Sequence, residues 1–233
     1  MRAIALVGLN FVRSQWLVLA VITVYFLGMG GVFRAHVREP DVLFFLRWHV
    51  GYAVFLGAVT AVPALHAERK TRRILAVLSK GIYRWQYLGG LLLGCALMAA
   101  LFCAMTGAIT AWLCQQGGIA HGGLFAVTVA LFCCSVAAAA TGFFFSTFLH
   151  PFVATAATSA FLLLPFAVEA AGRAPVWQVF PVAWIFHFLV KYQLQPAGIE
   201  VWRIAIAALI QTAVLWAAAA AVFARRDVTI SPE

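Results

Sequence analysis

Residues 66–90, HAERKTRRILAVLSKGIYRWQYLGG, separate two long apolar runs and hold six of the chain's sixteen Lys and Arg residues: Arg69, Lys70, Arg72, Arg73, Lys80 and Arg84. The flanking runs, residues 48–66 and 86–113, contain no Asp, Glu, Lys or Arg. A helix needs roughly 20 such residues to cross about 30 Å of hydrocarbon. The runs are continuous rather than alternating, which favours helices over barrel strands.

Working outward, the same alternation of apolar run and short joint fills the chain. With 65% hydrophobic and 10% charged residues among 233, and a mean hydropathy of +0.99, too few polar residues remain to cover a water-soluble globule. Spans are expected at about 15–33, 48–66, 86–113, 123–149, 152–171 and 203–223, in one transmembrane domain covering residues 1–233. Trp16, Trp48, Trp85, Trp112 and Trp202 fall near span ends, where an amphipathic ring suits the headgroup layer. The first run is longer than a secretory signal core and further spans follow it, so a retained span is expected. Ahead of it, residues 1–14 place Ile4, Ala5, Gly8, Leu9, Phe11 and Val12 on one helical face and Arg2, Asn10 and Arg13 on the other, the pattern of an interfacial helix.

Six spans put both termini on one side. With the N-terminus inside, the cytoplasmic segments hold ten of the basic residues: Arg2, Arg13, the six of residues 66–90, Arg225 and Arg226. The other side holds Arg34, Arg38, Arg47, Arg173, Lys191 and Arg203, and the bias favours this orientation. The net charge of +9 then reports topology and anionic headgroups, and no nucleic-acid partner is expected. Residues 172–202 are apolar and aromatic but broken by Pro175, Pro181 and Pro196. The piece 181–189 is too short to span, so an outer re-entrant or interfacial hairpin is expected between spans five and six.

Within the opening stretch, a 3.6-residue period puts Ala67, Thr71, Ile74, Leu75, Leu78 and Ile82 on one face and Arg69, Arg72, Arg73, Ala76 and Lys80 on the other. The spacing predicts a cytoplasmic amphipathic connecting helix over 67–81, ended by Gly81. Glu68, Leu75, Leu78, Ser79, Ile82, Arg84, Tyr87, Leu88 and Gly90 resemble the pattern that follows the second span in permease subunits of type-2 ATP-binding-cassette (ABC) exporters. Val77 and Gly81 depart from it, where Leu and Pro are commoner. The resemblance extends to the architecture: an interfacial helix, six spans, an apolar outer hairpin and a short basic tail. It implies a permease working as a homodimer, or with a related permease, in the bacterial cytoplasmic membrane. Separate cytoplasmic ABC ATPase subunits would bind ATP and magnesium, and Glu68, Arg69, Arg72, Arg73, Leu75, Leu78 and Arg84 would couple them to the permease. No cofactor is expected on the chain itself, which has no GxxxxGK[ST] loop, and the chain is not expected to be an enzyme.

Other residues complete the candidate set. Gly90 and Gly94 form a GxxxG pair that permits close helix approach. Arg47 and His49 near the start of span two, Glu169 near the end of span five, and Trp184 in the aromatic hairpin mark a possible substrate path, since ionisable groups in membrane segments are functional candidates. Interfacial snorkelling is the competing account. The cluster Trp177, Phe180, Trp184, Phe186, Phe188 and Tyr192 suits an interfacial belt or an outer gate. His187 has no His or carboxylate three or four positions away, and no metal pair is expected. Cys95, Cys103, Cys114, Cys133 and Cys134 read as small buried hydrophobes rather than disulfides. Two other functions stay open: an ATP-independent secondary transporter, against which stand the lack of a mid-span carboxylate and of an internal repeat, and an assembly or mechanical-coupling subunit without a transported substrate.

Overall fold

The computed structural model describes residues 2–32, 38–70, 82–171, 177–192, 194 and 198–225. The described residues form α1 (Arg2–Ser14), α2 (Trp16–Val32), α3 (Glu39–Lys70), α4 (Arg84–Gln116), α5 (Leu124–Ser146), α6 (Pro151–Ala170), a 3₁₀ turn (Trp177–Val179), α7 (Pro181–Lys191) and α8 (Ile199–Arg225), with no strand among them. Five helices are long and apolar enough to cross a membrane: α3 over Glu39–Ala67, α4, α5, α6 and α8. A sixth candidate is the pair α1 and α2, bent by 63° where they meet. The chain is an all-helical membrane protein with several spans.

Two boundaries differ from the sequence expectation. The second span was expected from residue 48, but α3 begins at Glu39. The Arg38 N–H donates to Asp41 Oδ2 at 3.1 Å, and Glu39 and Asp41 sit in the first turn, where carboxylates are favoured by the positive end of the helix dipole. At its other end α3 continues through Ala67, Glu68, Arg69 and Lys70, so the first residues assigned to the connecting helix belong to the span's own rod. Residues 71–81, with Arg72, Arg73, Leu75 and Leu78, lie outside the described residues.

Helix α5 forms the centre. In its most apolar stretch 72% of the residues are buried, against 17% in α6 and in α8, so α5 is wrapped by protein while α6 and α8 line the outside. Small residues make this possible. A methyl on Gly57 of α3 would overlap the Ser135 carbonyl of α5, and one on Gly142 of α5 would lie 3.2 Å from Ala61 and Val62 of α3. Ser135 Oγ of this seam donates across it to the Ala53 carbonyl at 2.6 Å, while Ser146 Oγ bonds the Gly142 carbonyl of its own helix at 2.7 Å and lies 3.2 Å from the Val62 carbonyl of α3. Such bonds and close backbone contacts hold helices together where the surroundings are as apolar as the side chains. Buried Thr106, Thr110 and Thr158 donate to their own helix four residues back, which satisfies the hydroxyl without water.

Helix α1 packs on the first half of α4 through glycines. A side chain on Gly90 would collide with Val7 and the Ile4 carbonyl, and one on Gly94 with Phe11 and the Gly8 carbonyl. Leu6 and Leu9 of α1 remain exposed. Helix α7 runs beside the second half of α6 in the same direction. Phe180 meets Phe161 at 5.5 Å between ring centres, the Cys134 thiol donates to the Pro181 carbonyl at 3.4 Å, and Phe186 meets Phe166 at 5.7 Å. Phe180 is thus back beside the middle of α6 ten residues after that helix ends. Pro181 suits the first position of α7, where a missing N–H is harmless.

Candidate functional site

Several described ionisable residues, Arg47, Glu169, His187 and Glu200 among them, lie at the end of the bundle where α6 finishes and α3 begins. Arg47, eight residues and about 12 Å along α3 from Glu39, reaches across to the last turn of α7. Its Nε donates to the Leu189 carbonyl and its Nη2 to the Val190 carbonyl, both at 3.0 Å. Terminal carbonyls of a helix have no partner within the helix, and a cation beside them also meets the negative end of its dipole. His187, in the preceding turn of α7, places Nε2 at 2.7 Å from Glu169 Oε2 at the end of α6 and stacks on Phe166 with ring centres 6.1 Å apart. Trp184 Nε1 donates to Glu200 Oε1 at 3.1 Å, tying α7 to the first turn of α8. Between these ties lies a cavity of about 250 Å³ lined by Arg47, Phe166, Phe186, His187, Leu189 and Val190.

Three of the four residues assigned to a substrate path therefore converge on α7: Arg47 directly, Glu169 through His187, and Trp184 as part of the helix. His49 does not join them. Two residues beyond Arg47 and on a different face of α3, it is 1% exposed and sits among Phe45, Phe26 and Phe102, with ring centres at 3.8, 5.5 and 6.1 Å. Its Nδ1 lies 2.7 Å from the Phe45 carbonyl and its Nε2 3.1 Å from the Tyr25 hydroxyl. A carbonyl only accepts, so Nδ1 carries a proton, and a neutral ring then accepts the Tyr25 proton at Nε2, which satisfies both nitrogens. This arrangement joins α2 to α3.

Sequence spacing could not show the Glu169–His187 contact, because the partners are eighteen positions apart on different helices. The available signal was one carboxylate and one imidazole, each alone in an apolar segment. Tyr192, just past α7, stacks on Phe188 at 5.4 Å, and burial pushes its phenol up to about 12; its hydroxyl has no hydrogen-bond partner among the described residues.

At the opposite end of the bundle, Arg84 Nη1 donates to the Phe223 and Ala224 carbonyls at 3.2 and 3.1 Å. The first turn of α4 is thereby fastened to the last turn of α8. Gln86 Oε1 accepts from the Tyr83 N–H at 3.2 Å, fixing where α4 starts. Among the described residues no group of three His, Cys, Asp or Glu side chains could hold a metal ion, and the five thiols are buried and unpaired with one another. A second cavity, about 550 Å³, lies between α4 and α5 against Ala104, Gly107, His121, Phe125 and Phe132. No protein-family model, curated protein or solved structure matches this chain.

Proposed function

We propose that the chain is the transmembrane permease subunit of an ATP-driven ABC exporter of the type-2 class. In this reading it works as a pair of permease copies in a bacterial cytoplasmic membrane, with both termini inside and α7 forming an outer re-entrant hairpin. ATP and magnesium are bound by partner subunits. The observation that carries the reading is the resemblance of residues 68–90 to the coupling pattern of that class. Its described parts support this: Lys70 ends α3, Gly90 of α4 lies against α1, and Arg84 at the start of α4 holds the last turn of α8. A push on residues 67–81 would reach α3, α4 and α8 together. The cargo would be amphipathic or hydrophobic, as the apolar walls of both cavities favour.

The test is a pull-down from the native membrane, comparing wild type with the double variant R72E/R73E. Wild type is expected to bring down an ATPase subunit that the variant loses while keeping its elution volume and thermal midpoint. If wild type brings down none under conditions that preserve other membrane complexes, the exporter reading fails and an ATP-independent transporter or an assembly subunit replaces it.

A further inference from the structure

Among the described residues Arg47 is a cation with no carboxylate partner. The seven acidic residues of the sequence are Glu39, Asp41, Glu68, Glu169, Glu200, Asp227 and Glu233. Glu169 contacts His187, Glu200 accepts from Trp184, and Asp41 accepts from the Arg38 backbone. Among the described residues no carboxylate lies within 4.0 Å of the Arg47 guanidinium, and Glu169 is the one that forms such a contact, with His187. The undescribed segments adjoining this end, residues 33–37, 172–176, 193 and 195–197, contain no Asp or Glu. Two carbonyls hold the guanidinium in place but do not neutralise it, and Arg47 is exposed, so its remaining charge is open to an anion from outside the chain.

The surface next to that cation is a cavity with apolar walls: Phe166, Phe186, Leu189 and Val190. At about 250 Å³ it falls below the roughly 300–1,000 Å³ that encloses a whole drug-sized ligand. Its size suits the neck of a larger amphiphile whose tails stay in the bilayer. We propose that Arg47 and this cavity form a seat for a lipid with a singly charged phosphodiester headgroup, the phosphate on the guanidinium and the adjoining methylenes against Phe166, Phe186, Leu189 and Val190. The planar fork of Arg is suited to phosphate oxygens, and Nη1 has no hydrogen-bond partner among the described residues. The Glu169–His187 contact holds the α6 wall against α7 and so keeps the cavity's shape. That the seated lipid is cargo rests on the exporter reading; that it binds does not.

The purified full chain in a non-ionic detergent is titrated with dioleoyl phosphatidylglycerol, with dioleoylglycerol, and with glycerol 3-phosphate, and adducts are counted by native mass spectrometry. Wild type is expected to retain the phospholipid at least about tenfold more tightly than either half-molecule, the size of one charge-assisted contact. Arg47→Gln should lose that margin, Arg47→Lys should stay within about threefold of wild type, and Arg203→Gln, a lost cation elsewhere on the same end, should change nothing. Val190→Glu, which offers Arg47 a carboxylate at the cavity rim, should abolish retention without loss of thermal stability and decides the matter if Arg47→Gln does not fold. Equal retention of dioleoylglycerol, equal loss in Arg203→Gln, or Arg47→Gln dissociating a dimer without affecting lipid would each overturn the proposal. None of these outcomes depends on an ATPase, so the exporter reading stands or falls separately in the pull-down.

Discussion

The α3–α5 seam offers a prediction whose size follows from the structure. Gly57 is the point of closest approach: an added methyl would overlap the Ser135 carbonyl and lie 3.0 Å from Ser135 Oγ. The obstacle is backbone, which cannot rotate aside, so Gly57→Ala must separate the two helices or shift one along the other. Overpacking of this kind costs about 1–3 kcal/mol. The shift also lengthens the Ser135 to Ala53 bond, now 2.6 Å, for about 1 kcal/mol more. Alanine's better helix propensity returns about 1 kcal/mol, leaving a net destabilisation of about 1–3 kcal/mol. Gly28 of α2 is the control, because a methyl there meets nothing within 4 Å; Gly28→Ala should be neutral or slightly stabilising. Both variants are to be measured by reversible unfolding in mixed micelles with increasing fractions of denaturing detergent. Equal midpoints for Gly57→Ala and wild type, or equal losses at both glycines, would refute the claim that backbone contact sets the α3–α5 spacing.

Three further outcomes are expected. Arg84→Gln should free the Phe223 and Ala224 carbonyls, speeding hydrogen exchange in the last turn of α8 severalfold while leaving the middle of α8 unchanged, with Arg84→Lys in between. Replacing Glu169 by Gln and His187 by Gln, singly and together, should give a coupling energy of about 0.5–1 kcal/mol in a double-mutant cycle, since the pair is partly exposed and such contacts are screened. Tyr192 should make the fold sensitive to alkali: its phenol, raised to about 12 by burial, favours the folded state below about 10, the unfolded value, and that contribution is lost as pH rises from there toward 12. Tyr192→Phe should remove this part of the alkaline unfolding curve and leave the neutral-pH midpoint nearly unchanged.

The class of fold was legible because membrane helices announce themselves locally: uncharged runs, interfacial tryptophans and proline-broken joints each act within one segment. From sequence the span is expected to start at about residue 48 because charge weighs against apolar character, which leaves Glu39 and Asp41 in the preceding joint, although both belong to α3. The opposing signal was present in REPD, with an early proline and an Asp placed to accept from the Arg38 N–H, which is how a helix begins. The site itself was only half legible. Arg47, Glu169 and Trp184 stood out as costly groups in apolar surroundings, but their partners lie 142, 18 and 16 positions away, and no periodicity carries information over such distances.

The two arginines sharpen this point. By charge alone, Arg47 and Arg84 fall on opposite sides of the membrane. In the fold both do the same structural work: each donates to two successive carbonyls at the C-terminal end of a helix more than 130 positions further along the chain. A helix ending in or near hydrocarbon leaves carbonyls that water cannot reach, and a guanidinium satisfies two of them from one anchored side chain. Charge statistics place such residues near membrane boundaries, but the geometry of helix ends selects which ones become fixed. The difference between the two lies in what surrounds the remaining charge. Arg84 lies beside a strongly basic segment where a partner protein is proposed to dock, whereas Arg47 borders an open, apolar-walled cavity. The same side chain thus serves as a tether at one end of the bundle and, with its charge still uncompensated, as the recognition element at the other.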